Sequence, residues 1–141
     1  MLDSLFKDFD NIIVLDTETT GLSFRNDEII ELAFLRLSGD TMEEYDEFIR
    51  LSPGRRIPPQ IVSLTGISDD MLENYGVEKE RACRALVEAL SGRRTLLAAY
   101  NAQFDLCFLY YFLLRFGKAE ALQGLKLLDA MTVYKDRRPF P

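Results

Sequence analysis

Histidine is absent from the 141-residue chain. A Ser-His-Asp relay, an imidazole zinc site and a histidine general base are therefore all excluded, and any chemistry must use carboxylates, hydroxyls, amides, amines or thiols. Long apolar runs are absent too. The longest, Leu106 to Leu114, has nine residues, far short of the roughly 20 that span a bilayer. The opening Met1-Leu2-Asp3-Ser4 lacks the basic start and apolar stretch of a secretion signal. These absences argue against a membrane-spanning or secreted protein and predict a cytoplasmic one. Cysteine is scarce: Cys83 and Cys107 sit in helix-like apolar patterns and are expected to be reduced core residues, with no support for a disulfide.

What is present describes one globular domain over residues 1–141. The mass is 16.2 kDa, with 48% hydrophobic and 28% charged residues, enough to bury a core. The net charge of −6 is uneven. Residues 1–50 carry 13 acids and 4 bases, a balance of −9, and the remainder carries 10 acids and 13 bases, a balance of +3. Acidity of this kind does not exclude a polynucleotide, because cations held by an acidic cluster reverse the local sign.

Residues 11–16 form an apolar run ending in an acid, which predicts a buried strand. Residues 28–37 predict a second strand with Glu31 as its interior charge. Ser38-Gly39-Asp40-Thr41 is hairpin-turn chemistry, leading into an acid-rich third strand over 42–51 that suits a sheet edge. Pro58-Pro59 opens a short helix to about Thr65, and Ser68 caps another. An amphipathic helix is expected over 77–90, with Ala82, Cys83, Leu86, Val87 and Leu90 on the apolar face. A strand over 95–99, an unusually apolar helix over 102–116 stopped by Gly117, a strand over 125–128 and a helix beginning at Ala130 complete the pattern. The order implies an α/β domain whose mixed five-stranded sheet has three antiparallel strands followed by a parallel βαβ part, flanked by helices.

Two constellations carry chemistry. In Asp16-Thr17-Glu18-Thr19-Thr20-Gly21, Asp16 and Glu18 are two apart on a strand and share a face. Close carboxylates repel unless a cation lies between them, and an oxygen ligand set favours Mg²⁺ or Mn²⁺. The Thr-Thr-Gly that follows leaves room for a phosphate or sugar. A bare Asp-x-Glu pair more often marks an ordinary strand end; the apolar strand before it and Thr-Thr-Gly after it weaken that alternative. In Tyr100-Asn101-Ala102-Gln103-Phe104-Asp105, the acid falls in the first turn of the apolar helix. Alone it suits a helix-end acid, yet the dipole's fraction of a kcal/mol cannot offset burying a charge beside Phe104 and Phe108. A metal or its water can.

Together these motifs resemble the DEDD superfamily of 3′–5′ exonucleases, and most of all the DnaQ-like group that includes the proofreading epsilon subunit of bacterial DNA polymerase III. Leu64-Thr65-Gly66-Ile67-Ser68-Asp69-Asp70-Met71 and Leu128-Asp129-Ala130-Met131 fit as further landmarks, so the likeness runs over roughly residues 10–138. It implies an RNase H-like fold and two-metal phosphodiester hydrolysis with Mg²⁺ or Mn²⁺. By resemblance, Asp16, Glu18 and Asp105 are the catalytic and metal-holding acids. Thr19, Thr20, Gly21 and Leu22 match the cradle of the 3′-terminal nucleotide, Thr65 and Ile67 its pocket lining, and Asn101 and Phe104 the second motif's accessory residues. Tyr100 stands where many relatives have histidine. Arg55, Arg56, Arg93, Arg94, Arg137 and Arg138 are candidate backbone contacts, each separately better explained as solvated surface charge. The implied partners are single-stranded nucleic-acid 3′ ends, DNA favoured over RNA, and a DNA polymerase subunit, without a membrane.

One departure matters. The family's third motif, His-x-Ala-x-x-Asp or Tyr-x-x-x-Asp, has no counterpart: Tyr134 is followed four residues on by Arg138, and Asp136 is a poor substitute in a basic run. The family's final helices are expected to be missing, leaving an incomplete metal site, impaired turnover, and an apolar face through which copies self-associate. A non-catalytic module that binds nucleic acid or a polymerase, and an RNA-directed exonuclease of the same superfamily, remain alternatives at this point.

Overall fold

The computed structural model describes residues 7–132. The first apolar run becomes β1 (Asn11–Thr19), which continues past Asp16 through both acids of the first motif. It is followed by β2 (Ile29–Ser38) and β3 (Thr41–Phe48), joined through Gly39-Asp40, where Gly39 takes φ 59° as a tight hairpin requires. Two short helices come next, α1 (Pro59–Thr65) and α2 (Asp69–Tyr75). The Ser68 hydroxyl accepts the Met71 amide and caps α2 as its sequence predicts. Then follow α3 (Lys79–Leu90), β4 (Thr95–Ala99), α4 (Ala102–Leu114), a 3₁₀ turn (Ala119–Leu122) and β5 (Lys126–Asp129). Residues 130–132 begin a helix.

The strands make one sheet in the order β3-β2-β1-β4-β5. β1–β2 and β2–β3 are antiparallel, and β1–β4 and β4–β5 are parallel. This is the mixed sheet that the element order implies, in the RNase H-like arrangement that the family resemblance implies. The acidic β3 lies at an edge, where Glu43, Glu44 and Asp46 are exposed.

Alternation along β1 sets the two faces. Ile13, Leu15 and Thr17 are buried, while Val14 and Asp16 are exposed. Ile13, Leu15, Leu32, Phe34 and Leu97 pack against Ala82, Cys83, Leu86 and Leu90 of α3 and Phe108, Leu109, Phe112 and Leu113 of α4. Truncating a side chain as enclosed as Phe108 costs about 3–5 kcal/mol. The other face stays more open: Val14 is 44% exposed, and Ala33, Leu35 and Ala98 are half-buried. Both cysteines are free thiols; Cys83 is buried as expected, whereas Cys107 is only half-buried.

The β1–β2 register slips between Glu18 and Thr19: Glu18 pairs with Glu31 and Thr19 with Ile29. Ile30, skipped in the pairing, joins Ile57, Ile67 and Leu72 in a second small core beneath α1 and α2. The bulge thus anchors those helices beside the acidic end of β1. Among the described residues, no helix is long and apolar enough to cross a membrane.

Candidate active site

Asp16 and Glu18 project from one face of β1, Asp16 exposed and Glu18 half-buried. Neither is in an ion pair among the described residues. Burial raises the Glu18 carboxyl, and the negative charge of Asp16 adds to the effect. Opposite Glu18, on β2, is Glu31. Burial, a hydrogen bond with Asp46 and the surrounding negative charge push Glu31 up to about 7. Glu31 and Asp46 extend the acidic field across three strands.

Asp105 comes from another direction. Of the two residues between β4 and α4, Asn101 adopts φ 60°, ψ 56°, a left-handed conformation that asparagine tolerates better than most residues. Its amide is bound by the Asp129 carboxylate at 3.0 Å, which also takes the Met131 amide at 3.0 Å. This turn starts α4 so that Asp105, in its first turn, enters the core at 4% exposure. The Thr17 hydroxyl donates to Asp105 Oδ1 at 2.5 Å, from the buried face of the strand. Burial is the main influence on Asp105 and raises it; the Thr17 hydrogen bond opposes that, and the charge of Asp16 adds to it, leaving the carboxyl at about 6. Sequence reasoning invoked a metal or its water to support this buried acid. In the structure a hydroxyl supports it, 88 positions away in the chain.

The cradle candidates are largely occupied with building their own loop. Thr19 and Thr20 are buried. The Thr19 hydroxyl donates to the Gly21 carbonyl at 2.7 Å. The Thr20 hydroxyl donates to Asp27 at 3.1 Å and accepts from the Glu28 amide at 3.0 Å. Asp27 also accepts the Ser23 amide at 2.9 Å. Gly21 is required here, because a Cβ would lie 2.8 Å from the Asp27 carboxyl carbon. Leu22 is 83% exposed beside them. On α1, the Thr65 hydroxyl bonds the Ile61 carbonyl at 2.8 Å and receives the Ile67 amide at 3.1 Å, and Ile67 is buried in the second core. Phe104 is half-buried, its ring 4.9 Å from that of Phe108.

Other candidates separate. Arg94 pairs with Asp10 at 2.6 Å, at the start of β1. That is roughly 26 Å from Glu18 at 3.3 Å per strand residue, so Arg93 and Arg94 lie at the far end of the sheet from the acids. Arg55 contacts Glu28 at 3.7 Å and the Asn26 carbonyl at 2.6 Å, nearer the cradle loop. Asp136, Arg137 and Arg138 lie outside the described residues. Thr17, Asp27, Glu31, Asp46 and Asp129 join the site only in the structure. Strand alternation places Thr17 and Glu31 on their faces but does not name their partners.

The fit to a divalent cation can be tested on these side chains. Among the described residues, no three acid or cysteine side chains converge as a metal cage. Mg²⁺ does not need one: it is commonly held by one or two carboxylates, with water and substrate phosphate completing its shell. Asp16 and Glu18, on one face and without a cationic partner, fit that description. Asp105 stands behind them, with one oxygen committed to Thr17.

Comparison with known proteins gives the family and the fold. A family model described as "Exonuclease", RNase_T, matches residues 13–139. DNA polymerase III PolC-type of Lactococcus lactis is 36% identical over 103 residues, covering 69% of this chain and 6% of that protein. The PolC-type protein of Thermotoga maritima is 36% identical over 110 residues, covering 76% of this chain and 8% of that one. The chain thus spans less than a tenth of the length of these curated relatives. Among solved structures, an apo exonuclease I superposes with a TM-score of 0.80 at 16% identity, over 90% of this chain and 30% of that chain. Escherichia coli exonuclease I in complex with a dA16 oligonucleotide gives 0.79 at 16% identity, over 89% and 29%. At that identity the likeness concerns the fold.

Proposed function

The chain belongs to the Exonuclease family whose model spans residues 13–139, and from that premise we propose that it hydrolyses phosphodiester bonds at the 3′ ends of single-stranded nucleic acid, DNA before RNA, in a cytoplasmic setting. The observation that carries this reading is the pairing of Asp16 and Glu18 on one strand face with the buried Asp105 behind them. The polymerase III names of the relatives favour a proofreading role and a polymerase partner.

Asp16 and Glu18 would hold Mg²⁺ or Mn²⁺. Such ions, two in the mechanism the family resemblance implies, would supply a more acidic water and stabilise the charge that develops on the phosphodiester. The chain's own contribution is positional. Thr19 and Thr20 brace the loop from below, leaving Gly21 and Leu22 to face the terminal nucleotide. Thr65 stiffens the end of α1 through its bonds to Ile61 and Ile67. Phe104 offers an apolar surface at the start of α4. Thr17 fixes one oxygen of Asp105, so the other can orient a water.

The same geometry favours slow turnover. The chain has no imidazole to take the proton from that water, and among the described residues no three acids converge as a metal cage. This is also what favours the second reading, a module that binds nucleic-acid ends or a polymerase without turnover. The deciding experiment is degradation of 5′-labelled single-stranded DNA with Mg²⁺ or Mn²⁺, with the matching RNA beside it and Asp16→Asn as control. Shortening from the 3′ end that stops in Asp16→Asn supports the exonuclease. Shortening that persists in that variant removes Asp16 from the chemistry, and a chain that binds DNA without shortening it supports the binding module.

A further inference from the structure

Beyond the catalytic acids, the loop from Thr20 to Glu28 folds back over one side of α4. Phe24 stacks on Tyr111, ring centroids 5.5 Å apart at 21°. The Arg25 guanidinium lies 5.8 Å from the Tyr111 ring centre, and its Nε donates to the Tyr111 hydroxyl at 3.2 Å. Arg115, just past the last residue of α4, lines the same hollow, and its Nη1 donates to the Ser52 hydroxyl at 3.4 Å. Neither arginine is in an ion pair among the described residues.

Two acids also line that hollow, Asp27 and Glu28, but both are engaged. Asp27 is held by Thr20 and Ser23. Glu28 is held by Lys79 at 2.9 Å, by Arg55 and by Ser52. The surface therefore carries two guanidinium groups with no carboxylate partner among the described residues, Arg25 against the Tyr111 ring and Arg115 lining the same hollow, in a chain of net charge −6. Phe24 is 40% exposed although one face lies on Tyr111, so its outer face is open to a further ring.

The placement is continuous with the cradle. Phe104 and Tyr111 recur at helical spacing along one side of α4, and Arg115, just past its end, continues that spacing. From Phe104 to Tyr111 is about 10 Å along the axis at 1.5 Å per residue, the length of about three stacked nucleotides at 3.4 Å each. Resting on the 3′-end reading above, we propose that Phe24, Arg25, Tyr111 and Arg115 form the platform for the nucleotides upstream of the terminal one. Bases stack on Phe24 and phosphates meet Arg25 and Arg115. Aromatic stacking beside cations is the recurring chemistry of single-strand binding without base readout. A protein partner has less to explain it, since among the described residues neither guanidinium has a carboxylate to answer it and Arg25 lies against a ring.

The test is fluorescence anisotropy of labelled dT12 and dT2 on the Asp16→Asn chain, alone and combined with Arg25→Glu, Phe24→Ala or Arg25→Lys. Degradation is measured separately with the unaltered chain. Arg25→Glu and Phe24→Ala are expected to weaken dT12 binding about tenfold. Arg25→Glu is also expected to lower the salt slope by about one. The dT2 affinity should hold, and Arg25→Lys should restore most of the dT12 binding. Variants that bind dT12 like their parent overturn the platform and leave the surface to a protein. Equal losses for dT12 and dT2 overturn it too, since the loop would then be shaping only the terminal pocket. Parent binding with the expected variant losses, but no degradation by the unaltered chain, removes the exonuclease and keeps the platform. Degradation with indifferent variants does the reverse.

Discussion

The Thr17 hydroxyl donates to Asp105 Oδ1 at 2.5 Å, joining the buried face of β1 to the first turn of α4 across 88 positions of sequence. The carboxylate is 4% exposed and has no cation to answer it among the described residues, so this bond supports the charged form. Thr17→Val keeps the shape and removes the donor. It should destabilise the fold by about 1–3 kcal/mol at pH 7.5, and by less at pH 5, where the carboxyl is already protonated. Urea unfolding at the two pH values measures both numbers. An equal loss at both would mean that the hydroxyl acts through packing rather than through the charge.

The raised carboxyl of Asp105 is also a statement about stability. Its pKa rises from an ordinary 3.8 to about 6, chiefly through burial. Between those values the folded chain keeps a proton that the unfolded chain has released. Stability from this group is therefore full at low pH and is lost as pH rises through about 6, by up to about 3 kcal/mol. Asp105→Asn removes the titration. Relative to the parent it should gain stability from pH 4 to about pH 6 and hold that gain to pH 7.5, and taking the difference between the two proteins cancels the other carboxylates. A difference that stays flat across this range would contradict the burial account.

A divalent cation should act against that penalty. The charge of Asp16 raises the carboxyls of Glu18, Glu31 and Asp105, and that of Glu18 adds to Glu31. A bound ion lowers the cost of charging those three. At a Mg²⁺ or Mn²⁺ concentration ten times its dissociation constant, the gain is about 1.4 kcal/mol. For a domain of this size that is roughly a 3–5 °C rise in Tm. The rise should be larger at pH 7.5 than at pH 5, and it should vanish in Asp16→Asn. Thermal scans with Ca²⁺ as a comparison would show whether the effect tracks cation type. A rise of equal size in Asp16→Asn would place the ion elsewhere.

How much of this could be read from the chain depends on whether the cause is local. The β2–β3 hairpin is legible because Gly39-Asp40 and the alternating residues around it act within a few positions. The cap at Ser68 and the end of α1 at Gly66 are equally local. The first-motif acids are legible because a two-residue period puts Asp16 and Glu18 on one face whatever else the chain does. Their family role enters through the combination of motifs. Alternation places Thr17 on the buried face but cannot select Asp105 as its partner, because that contact depends on how α4 leaves β4. The buried side of α4 is similarly obscure, since nearly every residue from Leu106 to Leu114 is apolar and periodicity has nothing to contrast. Cys107 and Tyr110 consequently sit nearer solvent than composition implies. Thr19 and Thr20 present the opposite case: the motif points them at a nucleotide, and their hydroxyls are taken up by Gly21, Asp27 and Glu28.

The turn that aims Asp105 depends on Asp129. One of its oxygens binds both the Asn101 and Met131 amides, at 3.0 Å each, and Asn101 holds a left-handed conformation that the chain would otherwise leave. Asp129→Ala removes the acceptor while the exposed Asn101 amide can turn to water, so the stability cost should be modest, about 1 kcal/mol. The effect on turnover should be larger. Loosening the turn lets the start of α4 drift, and a displacement near 1 Å can cost on the order of a hundredfold in rate. Asp129→Asn keeps an acceptor oxygen in place and should retain most of the parent's rate. Turnover on single-stranded DNA, measured beside urea unfolding for both variants, separates the two effects. If Asp129→Ala turned over like the parent, Asp105 would owe its position to Thr17 and the core packing of α4 alone.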